Sequence, residues 1–275
     1  GTSLSKGWDL IERFSEDIDL ALNRETVGAQ FAGEISNRAI GRLREESHRF
    51  VRQEFQEALL ASFAAKNLPG AKFSITQEEA VNADPHLLVN YQSLYEPSPY
   101  LSPRVKIEIS TRSLMEPWSN RPIQSFIGAQ FNDQDFADSV FEVPTVEPKR
   151  TFLEKAFLLH EEFLRQPEEV RVRRMSRHLY DLEKLMDTEH GTQALNDVGL
   201  YQEIVTHRSR FYRRNHVDYE TLSRTTIDFI PPTHALEACR GDYVEMSEAM
   251  FYGNVLTFDE LIIRLQELRQ RFRSK

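Results

Sequence analysis

The sequence predicts an α+β protein, with a small mixed β-sheet flanked by helices in residues 1–147 and an α-helical second part in residues 148–275. Three observations carry this reading. Residues 104–111 (RVKIEIST) alternate cleanly, with Val105, Ile107 and Ile109 on one face of a strand and Lys106, Glu108 and Ser110 on the other. Residues 36–66 carry Ile40, Leu43, Phe50, Val51, Phe55, Leu59 and Phe63 at the three-to-four spacing of an amphipathic helix. Beyond Pro148 the helical period dominates to the end of the chain.

Taken in order, Gly1-Thr2-Ser3 is a small-residue turn and residues 4–11 read as a short helical run. Residues 17–20 read as a strand that projects Asp17 and Asp19 together and sends Ile18 and Leu20 toward the core. Residues 21–26 are a polar connection, and the long helix follows, ended by Asn67-Leu68-Pro69-Gly70. Residues 73–76 and 87–95 are strands, residues 97–103 a turn, and residues 123–131 and 141–146 further strand candidates. In the second part, residues 151–165, 170–187, 192–215 and 258–273 read as helices, with Pro231-Pro232 and Gly241 as breaks. No internal repeat or low-complexity tract interrupts this order.

Composition narrows the classes of function. A chain of 275 residues can bury a substantial core. No window approaches the ~18 consecutive apolar residues of a membrane span. A single cysteine, Cys239, excludes an intrachain disulfide and fits a cytoplasmic location. Eight histidines without partner cysteines give no zinc spacing. With 43 acidic against 34 basic residues, the net charge of -9 argues against indiscriminate nucleic-acid binding but leaves room for a local basic track.

The chemistry concentrates at the start. Two carboxylates side by side at a strand end repel each other unless a cation lies between them, and hard oxygen donors of this kind suit Mg²⁺. The turn at Gly1, Thr2 and Ser3 offers backbone N–H groups and hydroxyls suited to a phosphate. Together they read as a metal–nucleotide site, against the plainer reading of a solvated acidic turn. Glu108, the acid within the sharpest strand, reads on its own as a water-facing residue. Lys155, set among Leu153, Ala156 and Phe157, either snorkels to solvent or meets phosphate charge. Asp181 reads on its own as a helix-surface acid that pairs with Arg177 one helical turn earlier. The run His207 to Arg214 (HRSRFYRR), with Arg171, Arg173 and Arg174, would make a positive face for RNA, or a solvated helix end.

The opening GTSLSK followed by Arg13-Phe14-Ser15-Glu16-Asp17-Ile18-Asp19-Leu20 resembles the first motif of the AbiEii-type nucleotidyltransferases, toxins of type IV toxin–antitoxin pairs within the DNA polymerase β-like superfamily. VKIEIS at residues 105–110, EK at residues 154–155 and RHLYDL at residues 177–182 match later motifs in the same order. The family turn is normally Gly-Gly-[ST], so the chain is expected to start on the second glycine, without an upstream helix.

The resemblance implies that Asp17, Asp19 and Glu108 are catalytic and hold Mg²⁺, and that Gly1, Thr2, Ser3, Lys6 and Lys155 bind an NTP. It implies that Lys155 contacts the triphosphate and that Asp181 orients Lys155 or the nucleotide. The expected fold is a nucleotidyltransferase core over residues 1–147, with residues 148–275 completing the nucleotide and acceptor cleft. The expected reaction moves an NMP from an NTP onto an acceptor such as a tRNA 3′ end, with pyrophosphate released. The expected partner is a cognate antitoxin. A non-catalytic nucleotide- or partner-binding relative and a metal-dependent phosphohydrolase are the alternatives.

Overall fold

The computed structural model describes the chain apart from residues 67–72, 78–83, 97–101, 115 and 275, and in residues 73–77 it describes the backbone only. The expected helix stop at residues 67–70 and most of the turn at residues 97–103 lie outside the described residues. The chain forms an α+β fold whose packing separates into two compact units. One comprises Thr2 and residues 16–115, the other Gly1 and residues 3–15 with residues 116–275.

In the first unit, β1 (Asp17–Ala21) leads through two short 3₁₀ turns to α1 (Asn37–Phe50), whose first turn is capped by the Ser36 hydroxyl accepting from the Ala39 N–H. One π-helical turn, Val51–Phe55, joins α1 to α2 (Gln56–Lys66), so the expected long helix runs without a gap. Three strands follow: β2 (Phe73–Gln77), β3 (His86–Tyr91) and β4 (Arg104–Ser110). The sheet order is β1-β4-β3-β2, with β1 parallel to β4 and the other pairs antiparallel.

Its core is Val51, Leu87, Val89, Ile107 and Ile109, covered by Phe50, Phe55, Leu59 and Phe63 of the helical run. The expectation that Ile18 and Leu20 face a core is corrected. They are 38% and 37% exposed, because β1 is an edge strand and the buried cluster centres on β3 and β4. The Ser47 hydroxyl meets the Thr111 hydroxyl at 2.6 Å and fixes α1 to the end of β4.

The second unit opens with a π-helical turn, Ser3–Gly7, rather than a longer helix. A hairpin holds it: β5 (Trp118–Ile123) pairs with β6 (Phe141–Val146), and between them lies the short α3 (Phe126–Gln130). The strand expected at residues 123–131 is therefore α3, started by the Ser125 hydroxyl accepting from the Gly128 N–H. Arg121 donates to the Gly7 carbonyl at 2.8 Å, and the Trp8 indole donates to the Val146 carbonyl at 3.0 Å.

Next come α4 (Pro148–Phe163), α5 (Ser176–Met186), α6 (Glu189–Asn196), α7 (Val198–Phe211), α8 (Thr233–Met250) and α9 (Phe258–Arg273). The α4 helix is the centre of the bundle, with Phe152, Leu153, Ala156, Phe157 and Leu159 wholly inside. The helix expected over residues 192–215 is two helices, divided at Asp197, whose carboxylate caps α7 through the Leu200 N–H. Gly241 does not break the chain. It lies inside α8 beside open space, where a missing side chain leaves no gap in packing.

Candidate active site

The parallel register of β1 on β4 sets Asp17 against Lys106 and Asp19 against Glu108. Paired residues in a sheet share a face, so both aspartates and Glu108 belong to one face of the first unit, with His86 of β3 completing the row beside Glu108. Asp19 is exposed and Asp17 half-buried, and the Thr2 hydroxyl donates to the Asp17 backbone carbonyl at 2.5 Å. Lys106 reaches along β4 to the Glu108 carboxylate at 2.6 Å.

This donor set is all carboxylate oxygen, the chemistry that Mg²⁺ prefers. Among the described residues no group of three or more His, Cys, Asp or Glu side chains is gathered closely enough to enclose a metal ion. The lysine on Glu108 already meets part of the negative charge on the face that register brings together.

The second unit assembles a different set. Residues 12–14 are held extended against residues 250–252, with the Phe14 N–H donating to the Met250 carbonyl at 2.7 Å and the Tyr252 N–H to the Glu12 carbonyl at 3.1 Å. The Tyr180 hydroxyl accepts from the Glu12 N–H while its ring stacks on Phe251. This pairing delivers Arg13 into the interior, where it donates twice to Asp181, Nε to Oδ1 and Nη2 to Oδ2, each at 2.8 Å. Lys155 of α4 donates to the same Asp181 Oδ2 at 2.8 Å and to His178 Nδ1 at 3.2 Å.

Asp181 is thus shared by Arg13 and Lys155, and the ordinary pairing with Arg177 at i−4 is not its main role. Burial pushes the Asp181 carboxyl up, but the charges of Arg13 and Lys155 outweigh it and hold the group well below the usual carboxylate range. Burial lowers the Lys155 ammonium, an effect partly offset by Asp181. Burial, then the charges of Lys155 and Arg177, keep His178 well below its usual value and therefore a neutral acceptor.

The Gly1 position stands close to this network. A Cβ there would lie 2.6 Å from Ser15 Oγ and 3.0 Å from Arg13 Nη2, so a larger residue would have to displace those side chains. Lys6 of the opening turn lines a cavity of about 290 Å³ together with Arg13, Phe14, Ser125, Phe126 and Ile127. Arg13 was not among the residues singled out from sequence. The signal was an arginine placed between Ile11 and Phe14 inside the first motif, where a cation needs a buried partner.

The basic run spans the end of α7 and the residues just beyond it, and its arginines differ in burial, with Arg213 and Arg214 exposed. Arg208 is buried and held at 2.7 Å by both oxygens of Glu161, with Glu154 on its other side. Arg171 is likewise joined to Glu162. Arg208 and Arg171 thus balance acids of α4.

A family model described as nucleotidyl transferase AbiEii toxin, type IV TA system, matches residues 1–264, almost the whole chain. The chain belongs to this family of nucleotidyltransferase toxins. No curated protein matches it. No helix among the described residues is long and apolar enough to cross a membrane.

Proposed function

We propose that this member of the AbiEii family is a Mg²⁺-dependent nucleotidyltransferase that moves an NMP from an NTP to an RNA acceptor such as a tRNA 3′ end, and that a cognate antitoxin restrains it in the cytoplasm. The observation that carries this reading is the register of β1 on β4, which aligns Asp19 with Glu108 two residues beyond the pair Asp17 and Lys106. Asp17, Asp19 and Glu108 are the residues that would hold Mg²⁺, with Glu108 exchanging Lys106 for the metal. When bound, the metal supplies positive charge to the attacking and leaving oxygens of an in-line displacement.

The remaining roles fall to the chain's own groups. Gly1 permits close approach of a phosphate to the backbone, while Thr2, Ser3 and Lys6 supply donors to it. Lys155 meets phosphate charge, and Asp181 with Arg13 fixes the direction of its ammonium. In the reaction, the acceptor hydroxyl gives its proton to solvent water as its oxygen forms a bond to the α-phosphorus, the bond from that phosphorus to the oxygen it shares with the β-phosphate breaks, and pyrophosphate leaves with that oxygen.

Incubation of the full-length protein with α-labelled NTPs, Mg²⁺ and total RNA tests the proposal. Label transferred to RNA supports it. Release of free phosphate would instead make the protein a phosphohydrolase, and binding without turnover a non-catalytic relative.

A further inference from the structure

We infer that the cavity beside the opening turn is a nucleobase subsite, in which the Phe126 ring takes the face of the base. The inference rests on the nucleotide-binding reading above. The cavity holds about 290 Å³, near the lower end of small-molecule sites, and all of its lining lies within one compact unit. Its apolar walls are Phe14, Phe126 and Ile127, which are 45%, 54% and 60% exposed. Large apolar side chains left open around a concavity mark a binding surface more often than scattered exposure does. Tyr252 meets the Phe126 ring edge-on at 6.1 Å between centroids and supports it from the side.

The polar part of the cavity is cationic. The Lys6 ammonium lies 2.8 Å from the centroid of the Phe126 ring, and Arg13 forms a further part of the lining. A ligand that offers a flat π face and an anionic group close together suits Phe126 and Lys6. A nucleoside triphosphate has both, whereas an inorganic phosphate lacks the first and an apolar peptide lacks the second.

Lys6 occupies the ring face through a cation–π contact. A triphosphate is a stronger partner for an ammonium than an aromatic ring, so Lys6 moves to the phosphates and the base takes its place on Phe126. Ser125 adds little base recognition. Its hydroxyl already donates to Asp138 and accepts from the Gly128 N–H, so stacking rather than edge reading supplies the contact.

The test is calorimetric titration, with Mg²⁺, of each of the four NTPs and of inorganic tripolyphosphate into the full-length protein, Phe126→Ala and Phe126→Tyr. Wild type should bind NTP more tightly than tripolyphosphate. Phe126→Ala should weaken NTP binding about tenfold, the scale of one lost base stack. Tripolyphosphate affinity should not fall, since Phe126→Ala also frees Lys6 from the ring, and Phe126→Tyr, which keeps the ring, should bind NTP like wild type. Because Phe126 is more than half exposed, the variants should remain folded, as circular dichroism would verify. Equal wild-type affinity for NTP and tripolyphosphate overturns the subsite while leaving the transferase reading standing. So does a Phe126→Ala variant that weakens neither ligand, or weakens both alike. If wild type binds neither ligand, the nucleotide-binding reading itself fails and the subsite falls with it.

Discussion

The two sets of charged residues differ in how they are held. Arg13, Asp181 and Lys155 form a buried network in which every ion has a partner at 2.8 Å and Asp181 has no exposed surface. Asp17, Asp19 and Glu108 lie on one face of an edge-strand pair, and none of them is buried. The first set is paid for by the fold, since buried ions are tolerated only when paired and hydrogen-bonded. The second contributes little to folding and remains accessible to solvent. The cationic network should therefore respond to mutation in stability, and the acidic face in activity alone.

Asp19→Asn should have the largest effect and the cleanest division. It keeps size and removes one charge from the proposed metal ligands, so transfer should fall by roughly a thousandfold. As an exposed substitution it should move stability by no more than about 0.5 kcal/mol. Labelled-NTP assays and thermal unfolding on the same preparation measure both. Retention of the parental rate would remove the acidic face from the mechanism.

Asp181→Ala tests the opposite corner. It leaves Arg13 and Lys155 buried without their shared carboxylate, which should cost about 3–5 kcal/mol and lower the melting temperature by about ten degrees. A loss below about 1 kcal/mol would show that the network relaxes into water, and the contrast between the two regions would disappear. Lys155→Ala should be milder, because Asp181 keeps both bonds to Arg13. We expect about 1–2 kcal/mol of stability to be lost and the KM for NTP to rise roughly tenfold. An unchanged KM would assign Lys155 to folding only.

The same contrast explains what sequence could reveal. Strands β1, β3 and β4 and the run of α1 and α2 were legible because alternation and helical spacing are local properties. The exposure of Ile18 and Leu20 was not, because alternation says which side chains share a face and not whether anything covers it. The apolar run at α3 has no period that separates helix from strand, and its Ser125 cap was the deciding signal. Gly241 marked no break because α8 is held by its other residues, including buried Cys239, Tyr243 and Met246. Lys155 and Asp181 could be nominated from motif order, but Arg13, which shares the Asp181 carboxylate with Lys155, lies 168 residues from it in the chain. Only the fold brings those together.

The smallest expected effect concerns His178, which ties the network to pH. In the folded chain it accepts from Lys155 and its pKa lies well below the ordinary 6.5, chiefly through burial and then the neighbouring charges of Lys155 and Arg177. The unfolded chain binds a proton near 6.5, whereas the folded chain does so only at lower pH. Between those values the unfolded state holds more protons, so stability rises with pH and is lost as pH falls below about 6.5. One such group contributes a slope of up to about 1.4 kcal/mol per pH unit. His160, also lowered mainly by burial, adds to the wild-type slope with the same sign. His178→Gln retains a hydrogen-bond acceptor for Lys155 and removes the titration. Urea unfolding at pH 7 and pH 5 should then show a smaller loss of stability on acidification in the variant than in wild type, by about 1 kcal/mol or more. Asp181 does not account for this difference, because its depressed pKa withdraws stability only in the more acidic carboxylate range. Equal losses for wild type and His178→Gln would mean that His178 gains its proton as readily in the folded chain as in the unfolded one, and that Lys155 is oriented by Asp181 alone.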